Sequence, residues 1–140
     1  MDLCRTRQIA ATQKVLACTV GAPLSYANAE SFMCALLSQV KDSASSVRWL
    51  VLRLDGIDEI DYIAAQMFME LSDRMESEGV TLILTGLSPV VARFLEELGV
   101  LATIGHERVF SSLHDAVAGL RADSASIIAE GNVGSSSPFR

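Results

Sequence analysis

An α/β sandwich built on a mostly parallel sheet is the fold class this sequence predicts, and three observations carry it. Short apolar segments alternate with segments whose apolar residues recur every three or four positions, in the order β-β-α-β-α-β-α-β-α. The segment from Val47 to Leu54 is almost continuously apolar, as a central parallel strand covered on both faces must be. Half of the 140 residues are apolar and the mean hydropathy is +0.35, enough for one deep core and too little chain for two. A central sheet of about five strands with about four or five helices follows, joined by right-handed crossovers.

Taken in order, Lys14–Val20 reads as the first strand, and Gly21-Ala22-Pro23 as a turn. Leu24-Ser25-Tyr26 is then expected to be a short second strand, antiparallel to the first because the connection is tight. Asn28 suits a helix N-cap, and Ala29, Phe32, Met33, Leu36 and Val40 follow at helical spacing. After the Val47–Leu54 strand, Asp55–Ile60 form a loop and Asp61 caps a second helix. Ala64, Met67, Phe68, Leu71 and Met75 supply its inner stripe, and Gly79 ends it. Val80–Thr85 is the next strand. Ser88 and Pro89 open a third helix lined by Val91, Phe94, Leu95 and Leu98 and closed by Gly99. Val100–Ile104 is expected to be a short edge strand. Ser111 or Ser112 caps a last helix carrying Leu113, Ala116, Val117 and Leu120. The weakly patterned residues 1–13 read as an N-terminal extension or linker, 14–122 as the domain, and 123–140 as a mobile tail.

Charge and cysteine usage narrow the function. Eleven basic against seventeen acidic residues give a formal charge of −6, the wrong sign for a nucleic-acid binder or a polybasic membrane-surface domain. The longest apolar runs, such as Val80–Leu84, fall far short of the roughly 20 residues of a spanning helix. Met1–Arg7 carry two Arg without a following signal-peptide run, so the chain is cytoplasmic in character. Cys4, Cys18 and Cys34 form no CxxC pair and no metal-ligand spacing; Cys18 and Cys34 lie in apolar elements and are expected to be buried, reduced thiols.

Catalytic signatures are absent: GxGxxG, a phosphate loop, GxSxG and HExxH do not occur. His106 and His114 read as surface or loop histidines. No enzyme activity, cofactor or metal is expected. The acidic group Asp55, Asp58, Glu59 and Asp61 is the one suggestive cluster. It falls at the carboxyl end of the central parallel strand, where open α/β sheets place ligands. It is either a divalent-cation site or partner-facing loop, or a solvated turn whose final Asp caps the helix. Tyr62 lies about 200° around the helix from Ala64, so its ring is expected to stand in solvent. With Asp58, Glu59 and Asp61 it forms a candidate partner-docking loop and helix start, since tyrosine gives contact area at little entropic cost.

Four segments, in order, resemble one family. They are Leu24-Ser-Tyr-Ala-Asn-Ala-Glu30; Leu50-Val-Leu-Arg-Leu-Asp-Gly-Ile-Asp-Glu-Ile-Asp61; Glu78-Gly-Val-Thr-Leu-Ile-Leu-Thr-Gly-Leu87 with a helix ending Leu98-Gly99; and Gly105-His-Glu-Arg-Val-Phe110 followed by Leu113-His-Asp-Ala-Val117. Together, across roughly Val15 to Leu120, they resemble the STAS domain that ends anion transporters of the SulP (sulfate permease) type. The resemblance implies a STAS-like sandwich. It further implies a non-catalytic regulatory and interaction domain on the cytoplasmic side of a secondary transporter of sulfate, bicarbonate or dicarboxylates. The partners implied are the membrane portion of the same transporter or a soluble cytoplasmic protein, with no nucleic acid. Some family members bind nucleotides, but no phosphate loop supports that here. The alternative is a free-standing STAS protein in a partner-switching relay of the anti-sigma-factor-antagonist type. Such proteins carry a phosphorylated Ser or Thr after the Asp that opens the second helix. This sequence has Asp61-Tyr62-Ile63-Ala64, so Tyr62 occupies the matching position and the Ser/Thr is absent.

Overall fold

The computed structural model describes residues 4–9, 14–42 and 47–120. Besides a 3-10 turn at His106–Arg108, the described residues form, in order, β1 (Cys4–Ile9), β2 (Val15–Val20), α1 (Ala29–Asp42), β3 (Trp49–Arg53), α2 (Tyr62–Ser77), β4 (Thr81–Thr85), α3 (Pro89–Glu97), α4 (Val100–Ile104), β5 (Val109–Phe110) and α5 (113–120). The strands lie in one sheet in sequence order, β1-β2-β3-β4-β5. Strands β2 to β5 are parallel, and β1 is antiparallel to β2. Because the parallel order advances one way, right-handed crossovers must all land on one face. Helices α1 to α4 do so, packing on Leu16, Cys18, Leu50, Leu52, Leu82 and Leu84. The opposite face, with Val15, Val51 and Ile83, meets Ala116 and Leu120 of α5.

The β3 segment is the centre of the molecule, as its apolar run predicts. Leu52 sits between Cys18 of β2 and Leu84 of β4 in register, and Leu50, Val51 and Leu52 are fully buried. The helix caps also follow the sequence. Asp61 Oδ1 accepts from Ala64 N at 2.9 Å, Ser88 Oγ from Val91 N at 3.2 Å, and Ser112 Oγ from Asp115 N at 3.1 Å. The predicted stripe Ala64, Met67, Phe68, Leu71 and Met75 is buried.

Four expectations are corrected. First, β2's antiparallel partner is β1, not Leu24–Tyr26: Cys4 pairs with Val20 and Ile9 with Val15, inside the stretch expected to be an extension. An edge strand paired through its backbone needs no apolar alternation, and Cys-Arg-Thr-Arg-Gln-Ile shows none. Leu24 instead makes a single parallel bridge to Ile60, prolonging the β2–β3 pairing past the sheet. Second, Val100–Ile104 is helical. Gly99, at φ +80°, turns the chain out of α3, and Val100, Leu101 and Ile104 are buried at helical spacing. Tertiary packing overrides the β-propensity of Val, Thr and Ile there, and the edge strand is Val109–Phe110. Third, Cys34 is exposed while Cys18 is buried. Two residues on from buried Phe32, Cys34 lies about 200° around α1 and faces out. Fourth, Asn28 precedes α1, but its side chain braces the turn before it. Its Oδ1 accepts from Ser25 N at 2.9 Å and its Nδ2 donates to Pro23 O at 3.0 Å. The tail 123–140 lies outside the described residues.

Candidate functional site

Parallel strands deliver their following loops to one end of the sheet, so the β2–α1 loop, the β3–α2 loop and the start of α3 emerge together. Asp61 ties the first two. One carboxylate oxygen caps α2, while the other accepts from Tyr26 N at 2.7 Å across 35 residues of sequence. Asp61 N donates to Leu24 O at 3.4 Å, beside the Leu24–Ile60 bridge. A buried Ile57, its N donating to Leu54 O at 3.0 Å, folds the intervening loop back onto the core and leaves Asp58 and Glu59 outside. Asp55 rests on the next strand's exit, against Gly86, whose left-handed φ of +72° favours glycine.

Between these loops and α3 lies an open groove of about 410 Å³. Leu24, Ile60, Val90, Val91 and Phe94 form its apolar wall, and Asp58, Glu59 and Asp61 its acidic rim. Of the four residues singled out in the sequence, three therefore line this groove. Tyr62 stands beside it, half exposed, and its hydroxyl accepts from Gln66 Nε2 at 2.8 Å one turn along α2. Its ring is thus steadied along the helix. The apolar wall went unseen in sequence because it is assembled from three separated segments. Val90 carried the available signal: an apolar residue outside the α3 stripe, 70% exposed.

Among the described residues no three His, Cys, Asp or Glu side chains converge to hold a metal ion, so the acidic loop has no ligand cage. His106 Nε2 lies 2.7 Å from Glu96 Oε1 in an exposed pair, and His114 is exposed on α5. What the arrangement offers is a concave apolar surface with a negative border, which suits recognition.

The STAS domain model matches residues 6–116, from β1 into α5. The chain belongs to the STAS domain family. A Mycobacterium tuberculosis relative named a probable sulfate transporter is 28% identical over 100 residues, covering 71% of this chain and 18% of the relative. The structure of the murine Slc26a9 anion transporter in its inward-facing state superposes with a TM-score of 0.70 at 27% identity, covering 78% of this chain and 18% of that one. An anti-sigma factor antagonist from Mycobacterium paratuberculosis shares the fold, with a TM-score of 0.68 at 16% identity, covering 84% of this chain and 92% of that one. This STAS domain thus spans less than a fifth of each of these two transporters. Among its described residues no helix is long and apolar enough to cross a membrane.

Proposed function

We propose that this STAS domain is the non-catalytic regulatory and interaction domain of a SulP-type secondary anion transporter, held on the cytoplasmic side of the membrane. It docks partners through Asp58, Glu59, Asp61 and Tyr62. The observation that carries this reading is the likeness to transporters at 28% and 27% identity, against 16% for the antagonist. The anion, whether sulfate, bicarbonate or a dicarboxylate, is chosen by membrane helices outside this domain. With Tyr62 where the relay proteins carry Ser or Thr, the domain works without a Ser/Thr kinase switch at that position.

Two measurements test the reading. Sequencing the gene upstream of Met1 should reveal about ten or more hydrophobic segments in frame, each long enough to span; their absence would remove the transporter. In the full-length protein, Tyr62→Ala with Asp58→Ala should impair transport relative to a matched double change on α5, at equal expression. Unchanged transport would remove the docking role. The alternative, an antagonist-type relay protein, is supported by the shared fold, and phosphate transfer to this chain from a partner kinase would favour it.

A further inference from the structure

Of the exposed large hydrophobic residues among those described, Val90 lines the groove, while Tyr26 and Tyr62 lie at the same end of the sheet, in the loop before α1 and at the start of α2. Ile63 faces a separate groove with Met33 and Met67. An exposed apolar side chain on a concave surface marks a place of contact. The groove's border carries one sign of charge. Asp58 and Glu59 are exposed, and no ion pair engages Asp58, Glu59 or Asp61 among the described residues. Arg53, Arg74, Arg93 and Arg108 are turned to Asp55, Glu70, Glu97 and Glu76 instead. The whole chain adds a net charge of −6 behind that rim. A cationic segment is therefore both attracted to the groove and able to relieve its unpaired carboxylates.

The sheet also says where such a segment can come from. Strand β1 runs antiparallel to β2 with Cys4 opposite Val20, and Val20 leads directly into the β2–α1 loop. The polypeptide therefore enters the sheet at the same end as the groove. In a membrane protein the short cytoplasmic loops carry an excess of Lys and Arg.

We propose that the groove receives a Lys/Arg-rich amphipathic cytoplasmic segment of the transporter's own membrane portion, its apolar side chains against Ile60, Val90 and Phe94 and its basic residues against Asp58 and Glu59. This rests on the SulP reading above and adds the chemistry and source of the partner.

The probe is a 16-residue helical peptide of Lys and Leu, titrated into the isotope-labelled 140-residue chain and followed by backbone amide shifts. The expected result is weak, saturable binding that moves the amides of Leu24, Ile60 and Val91. A Glu/Leu counterpart and a Lys/Ser counterpart should each bind roughly tenfold more weakly. Asp58→Lys with Glu59→Lys should weaken the Lys/Leu peptide by about the same factor, and raised salt should weaken it further. Equal binding of the Lys/Ser peptide would reduce the effect to counterion attraction and overturn the proposal. So would equal binding of the Glu/Leu peptide, or shifts confined to another surface. In the full-length protein, a photoreactive phenylalanine replacing Val90 should cross-link within the same polypeptide, to a basic cytoplasmic loop. A cross-link to a separate protein overturns the source. Peptides that fail beside a gene with membrane segments sink this inference alone, whereas a gene without them sinks the transporter reading itself.

Discussion

On one face of the sheet Leu50, Leu52, Leu82 and Leu84 meet four helices; on the other, Val51 and Ile83 meet α5. The first face is sealed by every crossover connection, so its packing is inseparable from the order of the strands. The second is closed by a helix added after the last strand, with Trp49, Phe110 and Leu113 only partly buried around its small cluster. Phe110 settles onto Gly119, whose missing side chain lets the ring approach. The difference teaches that the functional rim is built by the thick face. The loop that carries Asp58 and Asp61 and the first turn of α3 that carries Val90 belong to the same crossovers that bury Leu52 and Leu84.

The sharpest way to break this comparison is a charge in the thick face. Leu52→Asp leaves a carboxylate uncompensated where exposure is zero, costing several kcal/mol against a total of about 5–15. The variant should be unfolded by circular dichroism at room temperature; melting within a few degrees of the parent would show that the centre lies elsewhere. Adjacent residues on β4 then compare the faces directly, since Ile83 and Leu84 are both fully buried and point opposite ways. Leu84→Ala should cost about 4 kcal/mol and Ile83→Ala about 2, because the thin side can relax into its cavity. Equal losses in denaturant titrations would show that the two sides are equally rigid.

A smaller effect is expected at the rim. Asp61→Ala removes a helix cap and the bond to Tyr26 together, for about 1–2 kcal/mol. Hydrogen exchange should quicken at Ala64 and at Tyr26 alike; quickening at Ala64 alone would mean that the two loops are not joined. The smallest effect belongs to the outer surface of α1. Cys34→Ser should change stability by less than about 0.5 kcal/mol. In a Cys4→Ser background the native chain should be alkylated at Cys34 and not at Cys18, and labelling of Cys18 before unfolding would contradict its burial.

How much of this was legible depended on whether side chains or backbone decided the outcome. Strand β3, the α2 stripe, and the Asp61, Ser88 and Ser112 caps are written in side-chain pattern, and were read from it. The expected element order holds but for the extra helix α4, and two of its strands lie at other residues than the pattern suggests. Strand β1 is polar and paired by its backbone, and α4 is a helix of β-branched and aliphatic residues held by packing. At the site, the acidic loop could be picked out because its members are close in sequence. Leu24, Ile60, Val91 and Phe94 could not, because only the parallel arrangement of β2, β3 and β4 brings them to one groove. The bond from Tyr26 to Asp61 was invisible for the same reason.

The antiparallel setting of β1 changes how strong any contact at the groove has to be. A chain that arrives at Cys4, beside Val20, holds whatever precedes it close to the rim. Through a short flexible tether, such a neighbour is present at an effective concentration of about 1 mM. A segment that binds the free domain with a Kd of only about 0.1 mM would then occupy the groove about nine-tenths of the time. At that occupancy the loss of one or two rim contacts, or a soluble competitor present at about a hundred times its own Kd, is enough to release it. A weak groove at the end where the chain comes in is thus better suited to being switched than a tight one.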